Sequence, residues 1–255
     1  MNYDGRELEA MSFARNYHKW ILREFEPHLG FQVLEVGAGC GHFSTLLLRA
    51  GIPRLVAVEP SGNLFPLLDR AVADFSNATA IHGDLGALPS SLKESFDTVV
   101  YVNVLEHISD DRSELLRARE MLKPGGTICV FVPALPGLYG TADVSMGHHR
   151  RYQKAQLLET VRNAGFTVTK CRYFDLLGIL PWWLSFRILK KETLNPTQVS
   201  LYDRFVVPVI SRIERQLNSP AGKNLFTVAT NTHAIRQYGQ GTLEFRRTNK
   251  STRSF

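Results

Sequence analysis

The stretch that decides the fold is Val33-Leu34-Glu35-Val36-Gly37-Ala38-Gly39-Cys40-Gly41. An apolar run over 31–36 enters three glycines at alternate positions, and a helical pattern follows as far as Gly51. Glycine lets a backbone turn tightly from a strand into a helix and pass close to a ligand. The stretch therefore predicts a strand, a ligand-binding turn and a helix.

Strand and helix patterns alternate along the chain on both sides of this turn. Strands are predicted over 31–36, 55–58, 78–81, 96–102, 127–132, 166–173 and 225–230. Helices are predicted over 13–28, 42–50, 63–75, 110–122 and 153–164. A turn at Pro124-Gly125-Gly126 separates the helix at 110–122 from the strand at 127–132. This alternation is typical of an α/β fold with βαβ units and right-handed crossovers around a largely parallel sheet.

The chain is expected to form one domain with an inserted cap, because 255 residues suffice for one large core. Residues 1–174 and 223–235 form the predicted α/β domain. Residues 175–222 interrupt the alternation with apolar helical segments and are predicted to be the cap. Residues 236–255 are polar and basic, a composition that favours a disordered tail.

Charge and cysteine content restrict the classes of partner. The formal charge is +6, and the tail from Arg236 onward holds five basic residues against one acid. The body therefore carries about +2, so no nucleic-acid partner is expected, although an anionic partner of the tail stays open. Three scattered cysteines and a polar N-terminus without a signal peptide favour a cytoplasmic location.

Polar residues follow the predicted strands at the edge where open α/β sheets bind ligands. Glu59 ends the second strand, Asp84 follows the third and Asn103 follows the fourth. The third glycine of the turn comes one residue earlier than in the dinucleotide-binding G-x-G-x-x-G pattern. The acid before the turn, Glu35, suits a ligand with an ammonium and a sulfonium better than one with two phosphates.

Taken together, these motifs resemble the class I S-adenosylmethionine-dependent methyltransferases. The E-x-G-x-G-x-G turn, Val58-Glu59-Pro60, Gly83-Asp84-Leu85, the NVLEHI segment (103–108) and the LKPGG segment (122–126) occur in that family's order across residues 13–175. The likeness is greatest to members that act on small molecules, lipids or glycans. It implies a Rossmann-like sheet of seven strands, with the last strand antiparallel and inserted beside the sixth.

The resemblance also implies a cofactor, S-adenosylmethionine, with S-adenosylhomocysteine as product. Glu35 and the glycines would surround the methionine moiety, Glu59 would bind the ribose, and Asp84 with Leu85 would lie at the adenine. The full set of expected cofactor contacts is Tyr17, Glu35, Gly37, Gly39, Gly41, Glu59, Pro60, Asp84, Leu85 and Asn103. A catalytically silent binding protein is the alternative; a nicotinamide dehydrogenase is disfavoured by the glycine spacing and Asp84.

Three histidines are candidate catalytic bases: His107, His148 and His149. The pair at 148–149 follows a loop of about 14 residues, a length typical of functional loops. His149 is favoured because Tyr152 lies three residues on, although both could instead anchor the loop. A hydroxyl acceptor needs such a base, which favours O-methylation over C- or N-methylation.

A metal ion is not expected. Some methyltransferases bind a divalent metal through E-x-x-E-H and a later histidine, but here Asn103 occupies the first position. Hard cations favour carboxylate oxygens, so this change removes one ligand.

The predicted cap carries an unusually apolar stretch. Residues 176–186 are 11 uncharged residues, too few to span a bilayer. Trp182 and Trp183 precede the basic residues Arg187, Lys190 and Lys191. The stretch is expected to act as a lid or a homodimer contact, with peripheral contact at the inner face of the membrane as the alternative. Either role favours a small or lipid-linked acceptor with an apolar portion.

Overall fold

Seven strands form one mixed sheet in the computed structural model, which describes residues 13–232. The strands are β1 (Gln32–Val36), β2 (Arg54–Glu59), β3 (Ala78–His82), β4 (Phe96–Val102), β5 (Leu122–Pro133), β6 (Phe166–Phe174) and β7 (Asn224–Asn231). Their order is β3-β2-β1-β4-β5-β7-β6. β7 lies antiparallel between β5 and β6, and the ladders among β1–β5 are parallel. The predicted Rossmann-like fold class is confirmed.

Helices cover both faces of this sheet and also form the predicted cap and the loop beneath it. They are α1 (Arg15–Phe25), α2 (His42–Arg49), α3 (Phe65–Val72), α4 (Asp111–Met121), α5 (Thr141–Ser145), α6 (Lys154–Asn163), α7 (Ile179–Trp182), α8 (Pro196–Leu201) and α9 (Val207–Gln216). A π-helical turn continues α7 over Trp183–Ile188, and another, Tyr202–Val206, joins α8 to α9. No helix within the described residues has the length and apolar content needed to cross a bilayer.

The strands bury both of their faces, which explains their continuous apolar runs. Along β1, Leu34 and Val36 belong to one core cluster, whereas Val33 belongs to the other. Successive side chains of a strand point to opposite faces, so each cluster lies between the sheet and one layer of helices. This burial fixes the carboxyl ends of the parallel strands at one edge, where the candidate site lies.

The predicted turn at Pro124-Gly125-Gly126 is wrong, because these residues lie within β5. Leu122 already pairs with Phe96, and the register then shifts so that Thr127 pairs with Thr98. Gly125 takes a left-handed φ of 79° inside this irregular part of the strand. The glycines thus produce an irregularity within β5, whereas the sequence pattern indicated a turn before the strand begins.

The cap packs on the body at several places. Val207 and Ile210 of α9 belong to one of the two core clusters. The Asp203 carboxylate accepts hydrogen bonds from the backbone N–H groups of Asn16 (3.0 Å) and Tyr17 (2.8 Å) in the first turn of α1. Phe186 of the cap also packs against Ala142 in α5 and against Met146, which follows the C-terminal end of α5. The boundaries 1–174, 175–222 and 223–235 stay a prediction, and the tail at 236–255 lies outside the described residues.

Candidate active site

The glycine turn after β1 requires backbone conformations that glycine adopts without strain. Gly37, Gly39 and Gly41 have φ angles of 68°, 57° and 80°. A Cβ atom on Gly37 would lie 2.6 Å from Cγ2 of Val104. The segment after β4 therefore packs directly against the turn, which brings the NVLEHI motif next to the predicted cofactor site.

Glu59 joins the end of β2 to this turn. Its buried carboxylate accepts hydrogen bonds from the backbone N–H of Gly39 (2.8 Å) and of Ser61 (2.8 Å), one on each oxygen. A carboxylate oxygen can accept more than one hydrogen bond, so Glu59 keeps the capacity to bind ribose hydroxyls. The contact with Ser61, which sequence reasoning missed, helps to fix the orientation of this carboxylate.

Glu35 lies deeper than a direct ligand contact would suggest. The Ser44 hydroxyl on α2 donates to its Oε2 at 2.5 Å, and the side chain is buried. Burial, and to a lesser extent the nearby Glu59, raises the pKa of Glu35 to about 8, although the hydrogen bond from Ser44 lowers it. Glu35 thus ties β1 to α2 behind the turn, and its expected contact with the methionine moiety stays a prediction.

The remaining predicted contacts follow β2, β3 and β4. Asp84 is exposed and its Oδ1 accepts from the N–H of Gly86 at 2.8 Å, whereas the Leu85 side chain is buried in the core. Any contact of Leu85 with adenine is therefore made by its backbone. Asn103 has a left-handed φ of 54°, and its N–H donates to the Phe131 carbonyl. Pro60 is exposed beside Glu59.

Tyr17 lies in the core, and its expected contact with the cofactor stays a prediction. Its hydroxyl accepts a 2.5 Å hydrogen bond from Asn224 Nδ2 on β7. Its ring packs edge-on against Trp20, Phe131 and Phe174. These contacts explain the apolar stripe on α1 and assign Tyr17 to packing of that helix on the sheet.

Two of the three candidate histidines meet at a buried glutamate. Glu106, His107 and His148, hereafter the His–Glu cluster, each place a side-chain nitrogen or oxygen within 4.8 Å of the others. The two imidazole rings meet edge to face, with 4.7 Å between centroids. Burial raises the pKa of Glu106 to about 7 and lowers the pKa of His107 to about 4.

Asp143 supports this cluster from the loop between β5 and α6. His148 Nδ1 lies 2.8 Å from its Oδ1, and Arg151 Nε donates to the same oxygen at 2.8 Å. Burial opposes ionisation of this carboxylate, but the hydrogen bonds from His148 and Arg151 and the positive charge of Arg151 outweigh burial and lower the pKa of Asp143. An acid five residues before the histidine pair was the available signal, but sequence reasoning missed Asp143.

His148 lies in the His–Glu cluster and His149 does not, and the role of either as a catalytic base stays a prediction. His149 is exposed, and its backbone N–H donates to the Glu106 carbonyl. The Tyr152 hydroxyl, which had favoured His149, instead donates to Asp111 at 2.7 Å and anchors the loop. The sequence left open that Tyr152 anchors this loop, and its hydrogen bond to Asp111 agrees with that alternative.

The residues around the turn fit S-adenosylmethionine. The N-terminus of α2 has no side-chain cap and no acid in its first turn, so its free N–H groups can receive a carboxylate. Glu59 lies close enough to Glu35 to raise the pKa of Glu35, and two neighbouring acids suit a ligand with cationic groups. Glu59 also supplies an acceptor for the ribose.

Comparison with known proteins gives a consistent family. A family profile described as a methyltransferase domain matches residues 8–170, which is more than half of the chain. The tRNA U34 carboxymethyltransferase of Azotobacter vinelandii is 27% identical over 194 residues, which cover 70% of this chain and 60% of that protein. The protein of that name from Pseudomonas syringae is 29% identical over 165 residues, 60% of this chain and 51% of its own. The chain thus spans little more than half the length of these relatives.

Solved structures share the fold. A complex of the Haloferax volcanii Trm112 methyltransferase activator with a methyltransferase matches with a TM-score of 0.62 and 21% identity, over 91% of this chain and 98% of that chain. Phosphoethanolamine N-methyltransferase 2 of Haemonchus contortus, bound to S-adenosylmethionine, matches with a TM-score of 0.58 and 19% identity, over 85% of this chain and 52% of that chain.

These relatives correct the expectation that nucleic acid is not a partner. That expectation depended on the body charge of about +2. Proteins of similar sequence are named for action on tRNA, and a protein of similar fold is complexed with an activator protein. A weakly basic body therefore does not exclude RNA, and the charge argument fails. The matched profile, the strand order and the glycine turn agree: this chain belongs to the class I S-adenosylmethionine-dependent methyltransferases.

Proposed function

We propose that this chain transfers a methyl group from S-adenosylmethionine to a hydroxyl oxygen of a small or lipid-linked acceptor bound at the His–Glu cluster. One observation carries the proposal: the hydrogen-bonded pair Asp143–His148 lies beside Glu106 and His107. Glu106 and His107 belong to the segment after β4, which packs against the glycine turn through Val104. Cofactor and acceptor sites would then adjoin.

A hydroxyl acceptor must lose its proton during the transfer. With Nδ1 directed at Asp143, His148 holds the tautomer in which Nε2 can accept that proton. The Asp143 carboxylate would stabilise the imidazolium that forms, as an acid does for the histidine of a hydrolase triad. When bound, S-adenosylmethionine supplies a methyl carbon on a positive sulfur, which keeps the electron pair of the broken bond.

The cap supports an acceptor with an apolar portion. Phe186 packs on α5, the helix that carries Asp143, and the Arg151 guanidinium lies 4.6 Å from the Trp182 ring centroid. Leu180 and Leu184 of the same segment are exposed. An apolar chain lying along these leucines would lead a hydroxyl head group toward the cluster.

A second candidate acceptor is tRNA, because the similar proteins of Azotobacter vinelandii and Pseudomonas syringae are named for carboxymethylation of tRNA at U34. Methyl transfer to tRNA would use the same cofactor site, whereas carboxymethyl transfer would need a donor whose transferred carbon carries a carboxylate. The two candidate acceptors would also differ in how they contact the surface around the loop at 134–152.

The test combines cofactor binding with methyl transfer. Glu59→Gln should weaken S-adenosylhomocysteine binding by roughly 10–100-fold in calorimetry, because it removes charge-assisted hydrogen bonds. His148→Gln should keep that affinity yet slow release of S-adenosylhomocysteine with a hydroxyl acceptor by about 10²–10⁴-fold. Exposed Glu26→Gln serves as the control with neither effect.

Radiolabelled methyl groups from the same reactions identify the acceptor. Label in apolar hydroxyl compounds supports the first candidate, and label in total tRNA supports the second. Full activity of His148→Gln would contradict hydroxyl methylation and favour an amine acceptor. A wild-type protein that does not bind S-adenosylhomocysteine would overturn the cofactor assignment itself.

A further inference from the structure

Glu106 is a buried carboxylate without a hydrogen-bond partner for either oxygen among residues 13–232. Its side chain is 0% exposed. Burial of an unpaired carboxylate is costly unless a cation compensates it. The nearby Arg151 does not hydrogen bond to it, because its Nε donates to Asp143 and its Nη1 to the Ala134 carbonyl.

The two histidines surround this carboxylate at distances suited to a shared cation. His148 Nε2 lies 4.0 Å from Glu106 Oε1, too far for a hydrogen bond. The separation is about twice the roughly 2.0–2.2 Å that joins Zn²⁺ to nitrogen and oxygen ligands. His107 completes the set with a ring nitrogen inside the same 4.8 Å group.

Asp143 has the position of a supporting residue for a metal ligand. A metal-binding histidine usually directs its second ring nitrogen to a carboxylate, which fixes the ring and raises its basicity. His148 makes this contact, since its Nδ1 lies 2.8 Å from Asp143. Its Nε2 is thereby directed to the side of Glu106.

The geometry points to a three-ligand site for a divalent transition-metal ion, formed by Glu106, His107 and His148 and oriented by Asp143. Two imidazoles and one carboxylate favour Zn²⁺, Mn²⁺ or Fe²⁺ over Mg²⁺ and Ca²⁺. This ligand set does not include position 103. The asparagine at the first position of the E-x-x-E-H pattern therefore removes no ligand from it. Three protein ligands leave coordination positions for oxygens of an acceptor.

The inference deepens the proposed function and rests on it only for the role of the ion. With the ion bound, His148 Nε2 is a ligand instead of the base. The coordinated acceptor hydroxyl becomes more acidic, and its proton passes to bulk water while its oxygen forms the bond to the methyl carbon. The acceptor oxygen is held at the same cluster in both cases.

The experiment measures binding of Zn²⁺ to the full chain after removal of metal by a chelator. We expect one Zn²⁺ per chain in equilibrium dialysis, with affinity reduced at least 10-fold in Glu106→Gln and in His148→Gln. Asp143→Asn should reduce it by about 10–100-fold through loss of orientation. His28→Gln, a histidine outside the cluster, is the matched control and should bind Zn²⁺ as the wild type does.

Co²⁺ provides a readout that needs only the wild type. Its visible absorption should change on binding, and one equivalent of Zn²⁺ should abolish the change. Lack of stoichiometric Zn²⁺ binding, or equal affinity in folded Glu106→Gln, would overturn the inference and assign the cluster to a Glu106–His148 ion pair. Methyl transfer that continues in chelator under that result would leave the proposed function intact.

Discussion

Glu35 is the residue whose surroundings have the clearest consequence for stability. Its buried carboxyl has a pKa of about 8 in the folded chain, against 4.5 for an ordinary glutamate. The folded state therefore binds more protons than the unfolded state between these values. The stability contributed by the protonated form is full below about pH 4.5 and is lost as the pH rises through about 8.

Glu35→Gln should remove this pH dependence, because glutamine cannot ionise and still offers an oxygen to Ser44. We expect the free energy of unfolding of the variant, relative to wild type, to rise between pH 5 and pH 9 by an amount on the order of a few kcal/mol. Denaturant titrations at several pH values measure it. Glu26→Gln at an exposed position is the control, and a constant difference for both variants would contradict the buried-acid account.

At the scale of elements, the glycine turn and the segment after β4 form one packed unit. Gly37→Ala places a Cβ 2.6 Å and 2.9 Å from the two methyl carbons of Val104, at a φ of 68°. Gly125→Ala is a matched control, since its φ is 79° and no heavy atom lies within 4 Å of its Cβ. Both variants incur the cost of a left-handed alanine, roughly 1–2 kcal/mol.

Gly37→Ala should therefore be less stable than Gly125→Ala by a further 1–3 kcal/mol or so, the usual cost of overpacking. Thermal or denaturant unfolding of the two variants gives the difference. Adding Val104→Ala to Gly37→Ala should recover part of the loss. Equal stability of the two single variants would mean that the turn and the segment after β4 are not tightly packed.

Local patterns predicted the elements but not all of their boundaries. The glycines at 37–41 indicated a turn because left-handed backbone is a local property of those residues. The break expected at 124–126 was wrong because pairing of Leu122 with Phe96 extends β5 through it, and such pairing joins residues far apart in sequence. Glu59 was expected at the end of β2, whereas Asp143 was missed because its contacts with His148 and Arg151 depend on how the loop folds.

At the scale of the whole molecule, the cap supplies hydrogen-bond acceptors to the N-terminus of α1. α1 has no side-chain cap of its own, and Asp203 accepts from the N–H groups of Asn16 and Tyr17 across 187 and 186 residues. The apolar composition of 175–222 predicted a cap, but composition contains no information on which helix it would complete.

Asp203→Ala should lower the free energy of unfolding by about 1–2 kcal/mol, as loss of an N-terminal helix cap does. Asp203→Asn retains one acceptor oxygen and should lose less. Denaturant unfolding of both variants tests the link between cap and body. An alanine variant as stable as the wild type would show that these two hydrogen bonds do not help to hold the cap, which also packs through Phe186, Val207 and Ile210.

The antiparallel position of β7 has a consequence for how the protein is made. β6 pairs with β7 over its length, and β7 in turn separates it from β5. Ribosomes release Phe166–Phe174 roughly 50 residues before Asn224–Asn231. During that interval β5 and β6 lack the strand that lies between them, so the nascent chain has open sheet edges that favour association until β7 is synthesised.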